Sequence, residues 1–514
     1  MNPAIRHAAT AASSCAAALA VMAMAGCFGH DPAERQWREI RTARFILVTD
    51  LDRDDAREHA LELDERGAAL THLYRLLAPS QTAVVRPVQV VHLASCDELS
   101  RLRGTPIFGV VGPSIQFEID RLIFTCQRSD QRSETAVHEL THDLNHRYFA
   151  DLPVWLEEGL ATYYQTLETE GGRAVVGRPL RLDAHFWRAT MGLPPMGELL
   201  AMGDERFYAM EARRGYFAAW KLTHMLANGS RDNHGRFRRM LAGLASGHTK
   251  HEAFAGAFGD IADRLGREYK RYHLTRQLNV WQLPYRKAAG GIVGERILRR
   301  GEAHALWIEL GFFRDDPDRE AILERVDRLD REDPEWSRRL YWRALVHLAL
   351  KISREPPIDL FRRYVAREPD DGSGWLGLVR LELDRRIPAG HLGTEPAPPP
   401  GLDQIEDQVR ALLRVATTPA QLNAVGWYYA LRRRPQIGMN FTLRALAAEP
   451  GCASCWDTLA LLYHHAGRAA EALAAQERAV ALMTESDTGV PAAYQTRLQQ
   501  YRRLSKEART RGAR

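Results

Sequence analysis

Apolar and polar positions change period several times along the chain, and each change marks a different kind of element. Residues 44–49 (RFILVT) and Val88–Leu93 (VQVVHL) are short β-branched runs that predict strands, and residues 57–77 between them follow a helical period. Two further β-prone runs, residues 115–119 and Arg121–Cys126, flank Asp120. From Glu134 to Tyr148 the period turns helical, and residues 152–272 remain helical with breaks at Gly171-Gly172, Pro194-Pro195 and Gly229. The pattern predicts an α+β part over residues 37–130 and a helical part over residues 131–285. The Gly-rich stretch at residues 288–294 predicts a linker over residues 286–300, with helices throughout residues 301–514.

The last region repeats itself. Pro334, Pro369 and Pro450 each close a two-helix unit, and Trp375 and Trp456 stand six residues after the last two prolines. In residues 453–484, Trp456, Leu459, Tyr463, Gly467, Ala472 and Ala479 resemble the helix-packing positions of tetratricopeptide (TPR) repeats. Leu422, Gly426, Tyr429, Ala445 and Pro450 fall in matching places one repeat earlier. Weaker units fit residues 303–334 and 338–369, and another begins near Trp375, giving four or five in all. A Pro-rich insertion at residues 386–402, carrying Pro396, Pro398, Pro399 and Pro400, breaks the register. The resemblance implies an all-α TPR-like solenoid, whose concave surface suits a protein partner.

The chemistry is concentrated at His138-Glu139-Leu140-Thr141-His142, the HExxH pattern. On a helix, positions i and i+4 share one face, so both imidazoles reach one ion while Glu139 stands beside its open coordination position. Asn145 and Tyr148 occupy the places where a metzincin needs Gly and His, which excludes that class. His146 lies about 12 Å of helix rise from His138, too far to share the ion, and is expected in a second layer or on the helix surface. A new helix start at residues 152–161, LPVWLEEGLA, supplies two acids, Glu157 and Glu158.

HELTH followed by PVWLEEGLATYY resembles the gluzincin metallopeptidases, and especially the bacterial peptidase-MA-like group, over about residues 37–275. The resemblance implies an α+β gluzincin-type domain in which His138, His142 and Glu158 bind Zn²⁺. Glu139 would then act as general base toward a zinc-activated water, and Glu157 would face solvent or substrate. It also implies a Tyr some tens of residues further on as oxyanion donor. Tyr216 fits that place, with His224 the weaker candidate. The chain departs from thermolysin at Thr162, where a trailing Asp would stand, and it lacks the Gly-x-Met-Glu-Asn motif of amine-binding exopeptidases. An endopeptidase acting on a peptide or protein substrate is therefore expected, with Arg121–Cys126 as the edge strand beside the cleft. The alternative is a non-catalytic envelope assembly or scaffold lipoprotein, in which the repeats bind partners and the gluzincin domain is inactive.

Residues 8–28 are uncharged, follow Arg6, and contain Met24-Ala25-Gly26-Cys27, which resembles a bacterial lipobox. That implies a signal peptide over residues 1–26, an acylated Cys27, a tether over residues 27–36, and membrane attachment by lipid at the cell envelope. Phe28 rather than Asp after the cysteine implies the periplasmic face of the outer membrane in a Gram-negative cell. The remaining cysteines, Cys96, Cys126, Cys452 and Cys455, allow three pairings. An oxidising compartment permits Cys96 with Cys126 and Cys452 with Cys455. Lys and Arg number 70 against 65 Asp and Glu, a surplus of +5 without clustering, which argues against a nucleic-acid partner.

Overall fold

The computed structural model describes residues 31–77, 87–103, 109–116, 121–127, 133–149, 152–180, 193–210, 214–246, 248–272, 278–285, 290–313, 316–352, 355–484 and 490–512. Cys27, the signal peptide and residues 117–119 lie outside the described residues.

The chain opens with β1 (Arg38–Arg41), β2 (Phe45–Thr49), α1 (Arg53–Leu77), β3 (Val88–Leu93), α2 (Cys96–Arg103), β4 (Gly109–Pro113) and β5 (Arg121–Cys126). The Asp52 carboxylate accepts the Asp55 amide at 3.0 Å, so α1 starts a turn before its apolar period does. Then come α3 (Glu134–Tyr148), α4 (Val154–Tyr164), β6 (Glu168–Glu170), β7 (Arg173–Val176), α5 (Met196–Leu200), α6 (Asp204–Tyr208) and α7 (Arg214–His224). After a π-helical turn follow α8 (Arg231–Ala245), α9 (Lys250–Phe258), α10 (Ala262–Tyr272), β8 (Trp281–Pro284) and β9 (Gly294–Ile297).

Among the described residues, six strands form one sheet in the order β4-β5-β3-β2-β1-β9, with β2–β3 and β3–β5 parallel and the rest antiparallel. A second, antiparallel sheet runs β6-β7-β8. The larger sheet is apolar on both faces, which explains its near-continuous hydrophobic runs. Leu47, Val90 and Ile123 face a core shared with α1, α3, α4 and α7. Their strand neighbours Val48, Val91, Leu122 and Phe124 face a second core, built with Trp37, Leu99, Trp307, Leu310 and Phe313.

That second core moves the domain boundary. The expected linker at residues 286–300 contains β9, which pairs with β1 from Arg38–Ile297 to Arg41–Gly294. The helix after it, α11 (Arg300–Gly311), supplies Ala303, Trp307 and Leu310 to the underside of the sheet. A sheet with two apolar faces must be covered twice, and the first helix of the repeat region does half of that covering. The edge strand also differs from expectation. Arg121–Cys126 is internal, between β3 and β4, and the edge is β4, just before the run at 115–119.

The rest is an all-α array of TPR-like helix pairs. Among the described residues these are α11 with α12 (Arg319–Glu332), α13 (Arg339–Ala349) with α14 (Pro357–Arg367), α15 (Gly372–Arg386) with α16 (Glu406–Val415), α17 (Pro419–Leu431) with α18 (Pro435–Ala448), and α19 (Ala453–His465) with α20 (Ala469–Thr484). A final helix, α21 (Ala492–Gly512), packs on α20. The six-residue Pro–Trp spacing has a physical cause. The Trp375 indole N–H donates to the Pro369 carbonyl at 2.7 Å, and Trp456 does the same to Pro450 at 2.9 Å. The Pro-rich insertion forms the long connection between α15 and α16. Cys96 is bonded to Cys126 and Cys452 to Cys455, with sulfur separations of 2.09 and 2.00 Å. No described helix is long and apolar enough to cross a membrane.

Candidate metal centre

Helix α3 carries His138 and His142 on one face, one turn apart, and α4 brings Glu158 against them. Pro153 starts α4 from an extended conformation, which places both acids in its first turn and a half. Gly159 follows Glu158 because α7 crosses there. A Cβ at Gly159 would stand 2.8 Å from the Ala219 carbonyl oxygen, so only glycine lets the two helices meet.

The two Nε2 atoms are 3.2 Å apart, and Glu158 Oε2 lies 3.5 Å from each. Three donors at about 2.0–2.1 Å from one tetrahedral ion stand about 3.3 Å from one another, so this spacing fits zinc. The other nitrogens are turned to acceptors: His138 Nδ1 donates to Gln165 Oε1 at 3.2 Å and His142 Nδ1 to Glu157 Oε1 at 3.3 Å. A proton on each Nδ1 leaves each Nε2 a lone pair to offer, the arrangement that orients metal-ligating histidines. Glu158 Oε2 is buried and receives no hydrogen bond, while Oε1 accepts the Tyr208 hydroxyl at 2.7 Å. A buried carboxylate oxygen left open toward two lone pairs fits a cation.

Burial opposes ionisation of Glu158, but His142 and His138 outweigh it and hold the carboxyl well below the usual range. Burial likewise disfavours charge on His142, yet Glu158 and Glu157 hold its pKa well above the ordinary imidazole value. A proton and a metal therefore compete for the same nitrogen. Burial and the Glu158 charge keep the Tyr208 phenol protonated, and so a donor.

Glu139, buried at 8% exposure, acts on His142 through its charge and lies against the edge strand. A Cβ at Gly109 of β4 would be 2.9 Å from Glu139 Oε1. The Tyr216 ring lies 6.4 Å from that of His138 and 6.3 Å from that of Tyr208, so both tyrosines border the centre. His224 does not. Its nitrogens meet the Gly177 carbonyl at 2.9 Å and the Tyr272 hydroxyl at 2.8 Å, inside the helical core. His146 Nε2 is 3.4 Å from Glu157 Oε1, in the second layer.

Glu157 keeps a side-chain exposure of 25% and also turns to His142 and His146, contacts the sequence did not announce. Sequence reasoning missed Gln165 and Tyr208. Gln165 lies seven residues after Glu158, two turns along the same helix face, which is a usable signal. Tyr208 arrives from a separate short helix and carries none.

Residues 133–244 match the profile of a family described as a protein of unknown function, DUF1570. That window contains every residue named at the centre except Gly109. No curated protein matches the chain. Among solved structures the chain is similar to a thermophilic TPR protein in Thermus thermophilus, at 25% identity over 36% of this chain and 90% of that one, with a TM-score of 0.27. It is also similar to the P58(IPK) TPR domain, at 13% identity over 63% of this chain and 89% of that one, with a TM-score of 0.23. At those scores neither superposition adds to what the helix pairs themselves display.

Proposed function

We propose that this chain is a lipid-anchored cell-envelope zinc peptidase whose helical array recruits a protein partner or substrate. The observation that supports it best is the convergence of His138, His142 and Glu158, each held in orientation by a partner of its own, with Glu139 beside them. Zinc bound there would lower the pKa of a water and polarise a carbonyl. Glu139 takes a proton from the attacking water and returns it to the leaving amine. Tyr216 donates to the oxygen on which negative charge develops. An extended peptide lies along β4, whose outer edge pairs with no described strand and can add one beside Glu139. The array's stacked helix pairs support the recruiting role. Attachment through Cys27 rests on the lipobox-like residues 24–27.

Casein or a peptide library, incubated with the wild type and with Glu139→Gln at equal zinc content, tests the reading. Cleavage that falls by about 10²–10⁴ in the variant is expected. Equal cleavage, or none in a zinc-loaded wild type, defeats it.

A further inference from the structure

The first helix of the array meets the turn after β4 through a buried carboxylate. Glu309, on α11, is 2% exposed, and its carboxylate closes on the turn that follows β4. Oε1 accepts the backbone N–H of Ile115 at 2.8 Å, Oε2 lies 3.4 Å from Gln116 Nε2, and the Ser114 hydroxyl also donates to the group. The Ile115 side chain, partly buried, packs against the array's own core, the cluster that contains Ile308 and Ile322. This explains why residues 115–116 leave the sheet. The Ile115 amide, which a strand would pair in the ladder, is taken by a carboxylate of another element.

The same strand touches the chemistry at its other end, where Gly109 backs the Glu139 carboxylate. Val110 adds to the core beneath the sheet that Trp307 and Leu310 of α11 complete, and the Phe124 and Phe313 rings meet edge to face at 4.5 Å. The β4–β5 hairpin is thus held between the catalytic helix α3 and the first helix of the array.

We infer that Glu309 is a positioning residue, which fixes the turn at residues 114–116 and with it the edge strand beside Glu139, so that the array sets the peptide-binding edge of the cleft. The inference rests on the peptidase reading for its kinetic consequence, but not for its structural one. Ordering of the edge strand lowers the cost of binding an extended peptide, so losing the clamp acts on KM rather than on the chemical step.

The test uses the full chain, with amide hydrogen exchange and peptide kinetics measured on Glu309→Ala and Glu309→Gln. In Glu309→Ala, exchange over residues 109–116 is expected to quicken about ten-fold or more, while helices α17–α20 keep wild-type rates. KM for an extended peptide rises about ten-fold with kcat and zinc content nearly unchanged. Glu309→Gln keeps an oxygen to accept the Ile115 N–H and restores both. Wild-type exchange over residues 109–116 in Glu309→Ala overturns the clamp, and faster exchange with unchanged KM overturns its link to the cleft. A wild type that binds zinc and cleaves nothing defeats the peptidase reading instead, and exchange then decides the clamp alone. Should Glu309→Ala not fold, Ile115→Ala removes the apolar anchor while keeping the carboxylate. The same changes at smaller size support the inference, and wild-type behaviour refutes it.

Discussion

Glu158 beside the histidines and Asp457 in the helical array are buried alike, at 3% and 4% exposure, yet their oxygens are satisfied in opposite ways. Asp457 on α19 is saturated. Arg497 of α21 binds it through two nitrogens at 2.9 and 2.6 Å, and Gln476 of α20 donates at 2.8 Å. Glu158 has one oxygen bonded to Tyr208 and the other facing two imidazole nitrogens without a hydrogen bond. Burial pushes the Asp457 carboxyl up against the pull of Arg497, whereas the histidines win at Glu158 and push it down. Burial of an acid is therefore no mark of function. What sets Glu158 apart is that its open oxygen faces two imidazole nitrogens, whereas both oxygens of Asp457 are bonded within the chain.

Breaking each carboxylate in turn gives the largest effects. Asp457→Ala strands a buried guanidinium and is expected to cost about 3–5 kcal/mol, seen as early loss of helices α19–α21 in urea with zinc binding intact. Glu158→Gln is expected to do the reverse, abolishing zinc binding while the urea midpoint of the metal-free chain moves little. Zinc retained by Glu158→Gln, or an unaltered array in Asp457→Ala, would remove the contrast.

The two tyrosines sharpen it. Tyr216→Phe is expected to keep zinc and fold but lower kcat roughly 10²-fold with KM little changed. Tyr208→Phe and Gln165→Ala, which act on the ligands themselves, are expected to weaken zinc binding roughly 10–100-fold in a competitive chelator titration. Wild-type kcat in Tyr216→Phe would eliminate that residue as the oxyanion donor.

The smallest effect is shared by both regions. His224 and His465 each place Nε2 against the carbonyl of a positive-φ glycine, Gly177 at 2.9 Å and Gly393 at 3.0 Å. Burial pushes both imidazoles down to about 4, with His464 and Arg433 adding to it at His465. The unfolded chain takes up these protons near the ordinary histidine value, while the folded chain stays neutral until about pH 4. Stability from these groups is therefore full above the unfolded pKa and falls as pH drops toward 4. Urea midpoints followed from pH 7 to 4.5 are expected to decline less steeply in a His224→Gln/His465→Gln variant. An unchanged slope would count against this.

Legibility followed how local the cause was. Helix α3 spans the residues its period predicts, because the periodic apolar face and the HExxH pentad lie within one helix. The array was readable from Trp375 and Trp456, whose bonds close within six residues. The edge strand was not, since Gly109–Pro113 has little strand propensity and is fixed by pairing with β5. Nor was β9, a polar four-residue segment that pairs with a strand more than 250 residues earlier in the chain. Helix α11 resembles a repeat unit and packs as one with α12, and only the uncovered face of the sheet shows its second task.

The proposed zinc centre is tested most directly by elemental analysis of the purified full chain after reconstitution with zinc and removal of the excess. One zinc per chain is expected in the wild type and none in a His138→Ala/His142→Ala double variant that keeps the wild-type fold. A wild type without zinc, or a double variant that binds it undiminished, would contradict the assignment of His138, His142 and Glu158.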